Sequence, residues 1–471
     1  VTAETSQNHG RIPCFTTPVI YIQGCGYLNK ENQTMTLFKS KPYVWIACVM
    51  IAAQLLAACA PAISAPNQAV TQPQHSHTSP DSPVLSRTGS ASHVESLASY
   101  ETVSKQKKID PLVFRQAVRK LWEDHITWTR VYIIAALAGL PEADTAAQRL
   151  LQNQVDIGNA VKPFYGDAAG DQLTSLLKDH ILIAADLLAA AKSGDTTKFN
   201  DANKRWYDNA DQIAAFLNSA NPDNWSLADM QTMMKDHLDL TLQEAVARLH
   251  GDWSGDVAAY DKVHDEILHM ADMLTDGIIH QFPKKFANQK ASQQEIGLTL
   301  AMDKLWEDHI TWTRVYIISV TSNLPDADTA AGRLLQNQVD IGNAIKPLYG
   351  DEAGEQLTSL LNDHILIAAD LLAAAKSGDT TKFNEANKRW YENANQIAAF
   401  LNSANPDNWS LADMQSMMKS HLDLTLEEAV ARLNGDWNGD VAAYDKVHDE
   451  ILQMAAMLTE GIVAQFPAQF K

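Results

Sequence analysis

Histidine is the side chain to follow in this chain. His125, His180, His237 and His264 recur as His309, His364, His421 and His448. Each falls on the apolar stripe of a helical pattern. His125 shares its face with Leu121, Trp122, Trp128 and Tyr132, and His180 with Leu173, Leu176, Leu177, Ile183, Ala184 and Leu187. His237 follows Met230, Met233 and Met234, and His264 lies between Val257, Tyr260, Ile267 and Leu268. Spacings of three, four and seven residues point these rings inward. Facing helices that each contribute an inward imidazole are how a bundle builds a metal or haem site. The set predicts a transition-metal site of four histidines in each half, with Zn or Cu favoured by imidazole. Rings more than about 8 Å apart cannot share one ion at bond lengths near 2.0–2.1 Å, so convergence is the test. Ligation needs neutral rings, so binding is expected to weaken below about pH 6.

A buried imidazole needs partners for its nitrogens. Asn153 or Gln154, and Asn209, lie near apolar faces, and Asp261 shares a face with His264. Asp124, Asp179 and Asp236 each precede a histidine by one residue, about 100° away on a helix, so they are not expected in its site. Met230, Met233, Met234, Met270 and Met273 would favour copper as soft ligands, but at helical spacing methionine reads better as core filler. A di-iron carboxylate centre needs Glu-x-x-His on two helices. The repeats contain one, Glu266 to His269, and the second half breaks it with Gln453. Four independent core histidines, or a haem or other small ligand, are the alternatives.

The halves are a duplication. Leu121–Phe286 and Leu305–Phe470 align without a gap, identical at roughly five-sixths of positions. Where they differ, the chemistry can do without the residue in at least one copy. His250, His269 and His280 become Asn434, Gln453 and Ala464, which predicts surface positions.

No stretch of either repeat sustains strand alternation, and helix signals are abundant. The first copy predicts helices over about 110–138, 143–162 (stopped by Pro163), 169–192, 195–219, 226–249 and 252–281, the fifth broken near Asp239–Thr241. Ser226 with Asp229 forms a capping box. The fold class is therefore all-α: two tandem copies of a helical bundle of about six helices, with a four-helix-bundle core and one added pair. The copies occupy 109–286 and 301–471. Residues 287–300 form a linker and helix start, with a hinge at Ala287–Ala291 and a capping box at Ser292 to Glu295.

The remainder concerns address. Lys39 and Lys41 precede an apolar run from Tyr43 to Ala58, which is short for a membrane span. Leu56-Ala57-Ala58-Cys59 resembles a bacterial lipobox, which predicts a leader over 35–58 and lipidation of Cys59; an ordinary signal peptide is the alternative. Residues 1–34 precede this leader and are expected to be a misassigned start, Met35 being the better one. Residues 59–108, rich in Pro, Ser, Thr, Gln and Ala, read as a disordered tether with a reach on the order of 40 Å. The four cysteines, Cys14, Cys25, Cys48 and Cys59, all precede the repeats, so the bundles have no disulfide or thiolate ligand. A net charge of -20 argues against nucleic acid and anionic lipid surfaces as partners.

Catalytic signatures are poor. Gly158, Gly166 and Gly170 read as turn or packing glycines, and no phosphate loop or nucleophile elbow is visible. The block Leu121-Trp-Glu-Asp-His125, through Asp156-Ile-Gly-Asn-Ala-Val-Lys-Pro-Phe-Tyr-Gly-Asp167 to Tyr260-Asp-Lys-Val-His-Asp265, resembles an uncharacterised family of bacterial secreted helical domains. The resemblance spans each repeat and implies no established activity. Transferase-like names occur in that family, but no nucleotide-sugar or acyl-donor motif stands in these residues. The leading expectation is thus a lipid-anchored, extracytoplasmic metal-binding protein without a catalytic residue. Its rivals are a module presenting acidic helix faces to an envelope protein, and an enzyme of unknown class.

Overall fold

The structure is a computed structural model that describes residues 108–471. The leader, Cys59, the tether and the 1–34 segment lie outside the described residues. The described chain is all-α, with twelve helices and one isolated backbone bridge, Ile109 to Phe286.

The first six helices are α1 Pro111–Ala138, α2 Ala143–Tyr165, α3 Asp167–Ser193, α4 Thr196–Ala220, α5 Leu227–Leu249 and α6 Trp253–Gln281. Their counterparts are α7 Gln293–Thr321, α8 Ala327–Tyr349, α9 Asp351–Ser377, α10 Thr380–Ala404, α11 Leu411–Leu433 and α12 Trp437–Gln465. Local chemistry sets most of the ends. Asp110 caps α1 by accepting from the Leu112 N–H, ahead of Pro111 at the first helical position. Ser226 and Ser292 accept from the N–H three residues on, at Asp229 and Glu295, as their capping boxes require. Gly139 and Gly194 end α1 and α3 in the left-handed conformation.

Two boundaries differ from expectation. Pro163 lies inside α2, which runs on to Tyr165. A proline removes one N–H bond and crowds the carbonyl four residues back, and here the helix tolerates this in its last turn. Helix α5 is unbroken through Asp239–Thr241. Its core side, Met230, Met233, Met234, His237, Leu238 and Thr241, keeps one continuous stripe in register.

Each helix packs on its neighbours in the chain, and α6 returns onto α1, closing a ring of six. Helix α1 also touches α3 and α5 across the interior. The added pair is therefore not set apart from a core of four. Every one of the six helices buries an apolar stripe of its own. Helices α2 and α3 approach closely at paired glycines. A Cβ on Gly158 would lie 2.6 Å from the Gly170 carbonyl oxygen, so only glycine lets these backbones meet.

Candidate functional site

Three of the four predicted histidines meet inside each ring. His125, His180 and His237 come from the odd helices α1, α3 and α5 and are each at least 96% buried. The ring centroids of His125 and His237 are 5.6 Å apart, and those of His180 and His237 are 6.3 Å apart. His309, His364 and His421 repeat this arrangement at 5.5 and 6.3 Å.

The three rings are held by one construction used three times. Each is tied at Nδ1 to a side chain 29 residues further on, carried by the following even helix. His180 Nδ1 is 2.9 Å from Asn209 Oδ1. The Asn209 amide donates to the Leu176 carbonyl, so its oxygen faces the ring and the proton sits on His180 Nδ1. His237 Nδ1 donates to the Glu266 carboxylate over 3.0 Å. His125 Nδ1 lies 3.3 Å from the Gln154 amide nitrogen. The second copy uses Gln338, Asn393 and Glu450 in the same roles. His180 and His237 therefore keep the Nε2 lone pair, the usual ligating form, with an outer partner fixing the tautomer. At His125 the amide as placed donates to the ring and puts the ring proton on Nε2. Gln154 Oε1 is buried without a partner. The amide nitrogen also donates to the Leu150 carbonyl at 2.8 Å and to Asn153 Oδ1 at 3.0 Å, which fixes the amide in this orientation and leaves His125 Nε2 carrying the ring proton.

Burial favours the neutral form of His125 and His180. It pushes His180 down to about 3, with His237 adding to the effect, and drives His125 well below its usual value. His364 falls to about 3 and His309 well below normal for the same reasons.

The fourth histidine turns elsewhere. His264 is bound through Nε2 to Glu123, and its Nδ1 is 3.1 Å from Asp308 of the other repeat. Glu123 is two residues from His125 on α1, about 200° around the helix, so it faces away from the trio. His448 likewise lies between Glu307, at 2.8 Å, and Asp124, at 3.0 Å. The four-histidine site is thus corrected to three per bundle, without His264 and His448. Burial opposes charge on both rings, but the flanking carboxylates outweigh it. They raise His264 to about 10, and they raise His448 to about 9 against Lys120.

These rings belong to a second buried system, the contact between repeats. It obeys a local twofold at an offset of 184 residues, with Thr127 facing Thr311 across it at 3.3 Å. Arg149 pairs with Asp445 at 2.9 Å and Arg333 with Asp261 at 3.0 Å. Asp261 therefore orients an arginine of the other repeat rather than the His264 ring. Asp124, expected to stay out of its neighbour's site, does so and anchors His448 instead. Beside the contact, Arg130 binds Glu244 and Asp256 while its guanidinium lies 4.7 Å over the Trp312 ring.

His250, His269 and His280 are exposed. Met230, Met233, Met234 and Met270 are core residues, with Met234 and Met270 lining a small cavity on the Trp122 side of the histidine layer. Sequence reasoning missed Glu266 as a histidine anchor. The thrice-repeated spacing of 29 is the signal that would have found it.

As the rings stand, no group of three or more His, Cys, Asp or Glu side chains among the described residues is arranged to hold a metal ion. Two rings bound tetrahedrally through nitrogens at 2.0–2.1 Å would have centroids about 5.2 Å apart, so His125 and His180 would each have to move toward His237, by roughly 0.5 and 1 Å. Comparison with protein families, curated proteins and solved structures gives no match to this chain.

Proposed function

We propose that the chain is a lipid-anchored, extracytoplasmic protein that binds one transition-metal ion in each bundle. The ligands are His125, His180 and His237 in the first bundle, and His309, His364 and His421 in the second. The observation that carries this reading is the shared anchoring: three inward rings per bundle, each tied at Nδ1 by a residue of the next helix. A histidine that only fills a core needs no such common level. Neutral rings with oriented outer nitrogens are what imidazole ligation requires. Three nitrogens and no sulfur suit Zn or Cu, and the methionines contribute packing. Cys59 would supply the membrane anchor.

The test is metal content by mass spectrometry on full-length protein purified from its native envelope, and again after Zn and Cu titration. About two equivalents in the parent should fall to none in the His180→Ala, His364→Ala double variant, with circular dichroism confirming that helix is retained. A parent that binds no metal even on titration would make the trio core residues and direct the search to an envelope protein partner.

A further inference from the structure

The core of the first bundle holds a cavity beside its histidine layer. About 60 Å³ of it is open to the centre of a water molecule, room for about four to six waters. It is elongated: its wall follows α3 from His180 to Ala191 and α5 from His237 to Leu249, about 16–18 Å at the helical rise. Most of that wall is hydrocarbon, and no carboxylate, ammonium or guanidinium lines it. At one end stand His125, His180 and His237, with Thr129 and Thr241 one turn further along α1 and α5. Each ring is tied at Nδ1 to its outer partner, which leaves Nε2 for the interior. His125 offers an Nε2–H there, and His180 and His237 offer lone pairs. Thr129 donates to the His125 carbonyl at 2.7 Å. Thr241 is 93% buried, and its hydroxyl has no hydrogen-bond partner. A buried hydroxyl left unpaired is costly and calls for a partner.

We infer that the first bundle binds a small neutral straight-chain alcohol of about four to six heavy atoms, with its hydroxyl group at the histidine end. A hydroxyl both donates and accepts, as that end requires. Its proton goes to Nε2 of His180 or His237, and its oxygen accepts from His125 Nε2–H and from the Thr241 hydroxyl. The alkyl chain lies along the apolar wall, and a small volume drawn out over that length suits an unbranched one. A carboxylate of the same size would enter without a cation to pair it, so the site rejects anions. The inference concerns the first bundle alone. The second bundle's cavity, of about 50 Å³, is not lined by its histidines, and Thr425 already donates to the His421 carbonyl at 2.9 Å. No metal is involved, and the inference is independent of whether the trio also takes one.

The probe is 1-butanol, added to full-length protein carrying 13C-labelled histidine and freed of metal by dialysis against a chelator. The readout is the ring Cε1–H resonances of His180 and His237, each assigned by its loss in the corresponding His→Gln variant. Butanol should shift both saturably below roughly 20 mM, within the affinity open to so small a ligand. Butyrate at pH 7.5 should shift neither. Ala245 and Ala429 line the two cavities. Ala245→Leu fills the first and should abolish the butanol response, whereas Ala429→Leu should leave it unchanged. Thr241→Val keeps the volume and should weaken butanol by roughly three- to tenfold, the worth of one hydrogen bond. No saturable shift in the parent overturns the inference. So does an undiminished response in Ala245→Leu, or a butyrate response equal to that of butanol. Should Ala245→Leu lose its helix by circular dichroism, Thr241→Val decides, and an unchanged midpoint there overturns the inference.

Discussion

Acid should destabilise this protein through its buried histidines, and the size of the effect follows from their environment. His180 and His364 are held neutral down to about pH 3 in the folded bundle, whereas an unfolded histidine titrates near 6.5. Between these values the unfolded chain binds the extra proton, so stability falls as pH falls. The contribution is complete above about pH 6.5 and is progressively lost below it. At pH 4.5 each ring costs between about 2 and 3 kcal/mol relative to neutral pH, or about 5 kcal/mol for the pair. The groups facing His180 are Asn209, the Trp206 ring and the His237 imidazole, so no carboxylate in contact with the ring offsets the loss directly. The assay is urea unfolding followed by tryptophan fluorescence at pH 7.5 and 4.5. It compares the parent with a His180→Gln, His364→Gln variant, in which glutamine can still bond to the Asn209 and Asn393 amides. The carboxylates are common to both proteins, so the difference isolates the two rings. The parent should lose about 5 kcal/mol more than the variant between these pH values. Equal losses would refute the claim that these imidazoles are buried neutral.

Further outcomes follow from the same geometry. Bound Zn should persist at pH 5, below the pH 6 expected from free imidazole, and leave only as the bundle unfolds; dialysis and metal analysis across the pH range would show this. The contact between repeats gains stability from protonated His264 and His448. That gain is fully present below about pH 6.5 and is lost as pH rises through about 9 to 10, so a fluorescence-transfer pair with one dye on each repeat should report separation there. Arg130→Met would leave Glu244 and Asp256 without their shared partner and should cost about 3–5 kcal/mol in urea unfolding, whereas Arg205→Met on the exposed face of α4 should leave the midpoint nearly unchanged. Gly332 has open space around its Cβ position, and its copy-one counterpart is Gln148. Gly332→Gln should therefore be neutral or raise stability by up to about 1 kcal/mol, measured as a shift in thermal midpoint.

The helices were legible because their caps, breakers and apolar periods agree, and those are local properties. Inward direction was equally legible, since the 3.6-residue period places a ring on a face. Which inward rings meet is not a local property. His264 satisfies the same stripe rule as His180, yet its helix lies at the edge where the second repeat docks, and the stripe of α6 serves that contact as well as the core. The same limit hid Asp124. Its position beside His125 shows that it points away from the trio, but only the docked repeat shows that it points at His448. Proline offered a different lesson. Pro163 reads as a stop, yet the helix runs two residues past it to Tyr165.

The twofold character of the inter-repeat contact has a consequence for how this protein can change. When two separate copies of a chain associate about a twofold axis, any substitution appears on both sides at once. Fusing the halves releases that constraint and supplies the second half at the high local concentration of a short linker. Divergence is already visible. Arg119 binds Asp272 in the first half, whereas the matching positions hold Asp303 and Ala456. Asp303 instead accepts from Gln116, whose own counterpart is Leu300. A joint built on twofold-related pairs can thus be handed in detail, with each half making contacts the other lacks.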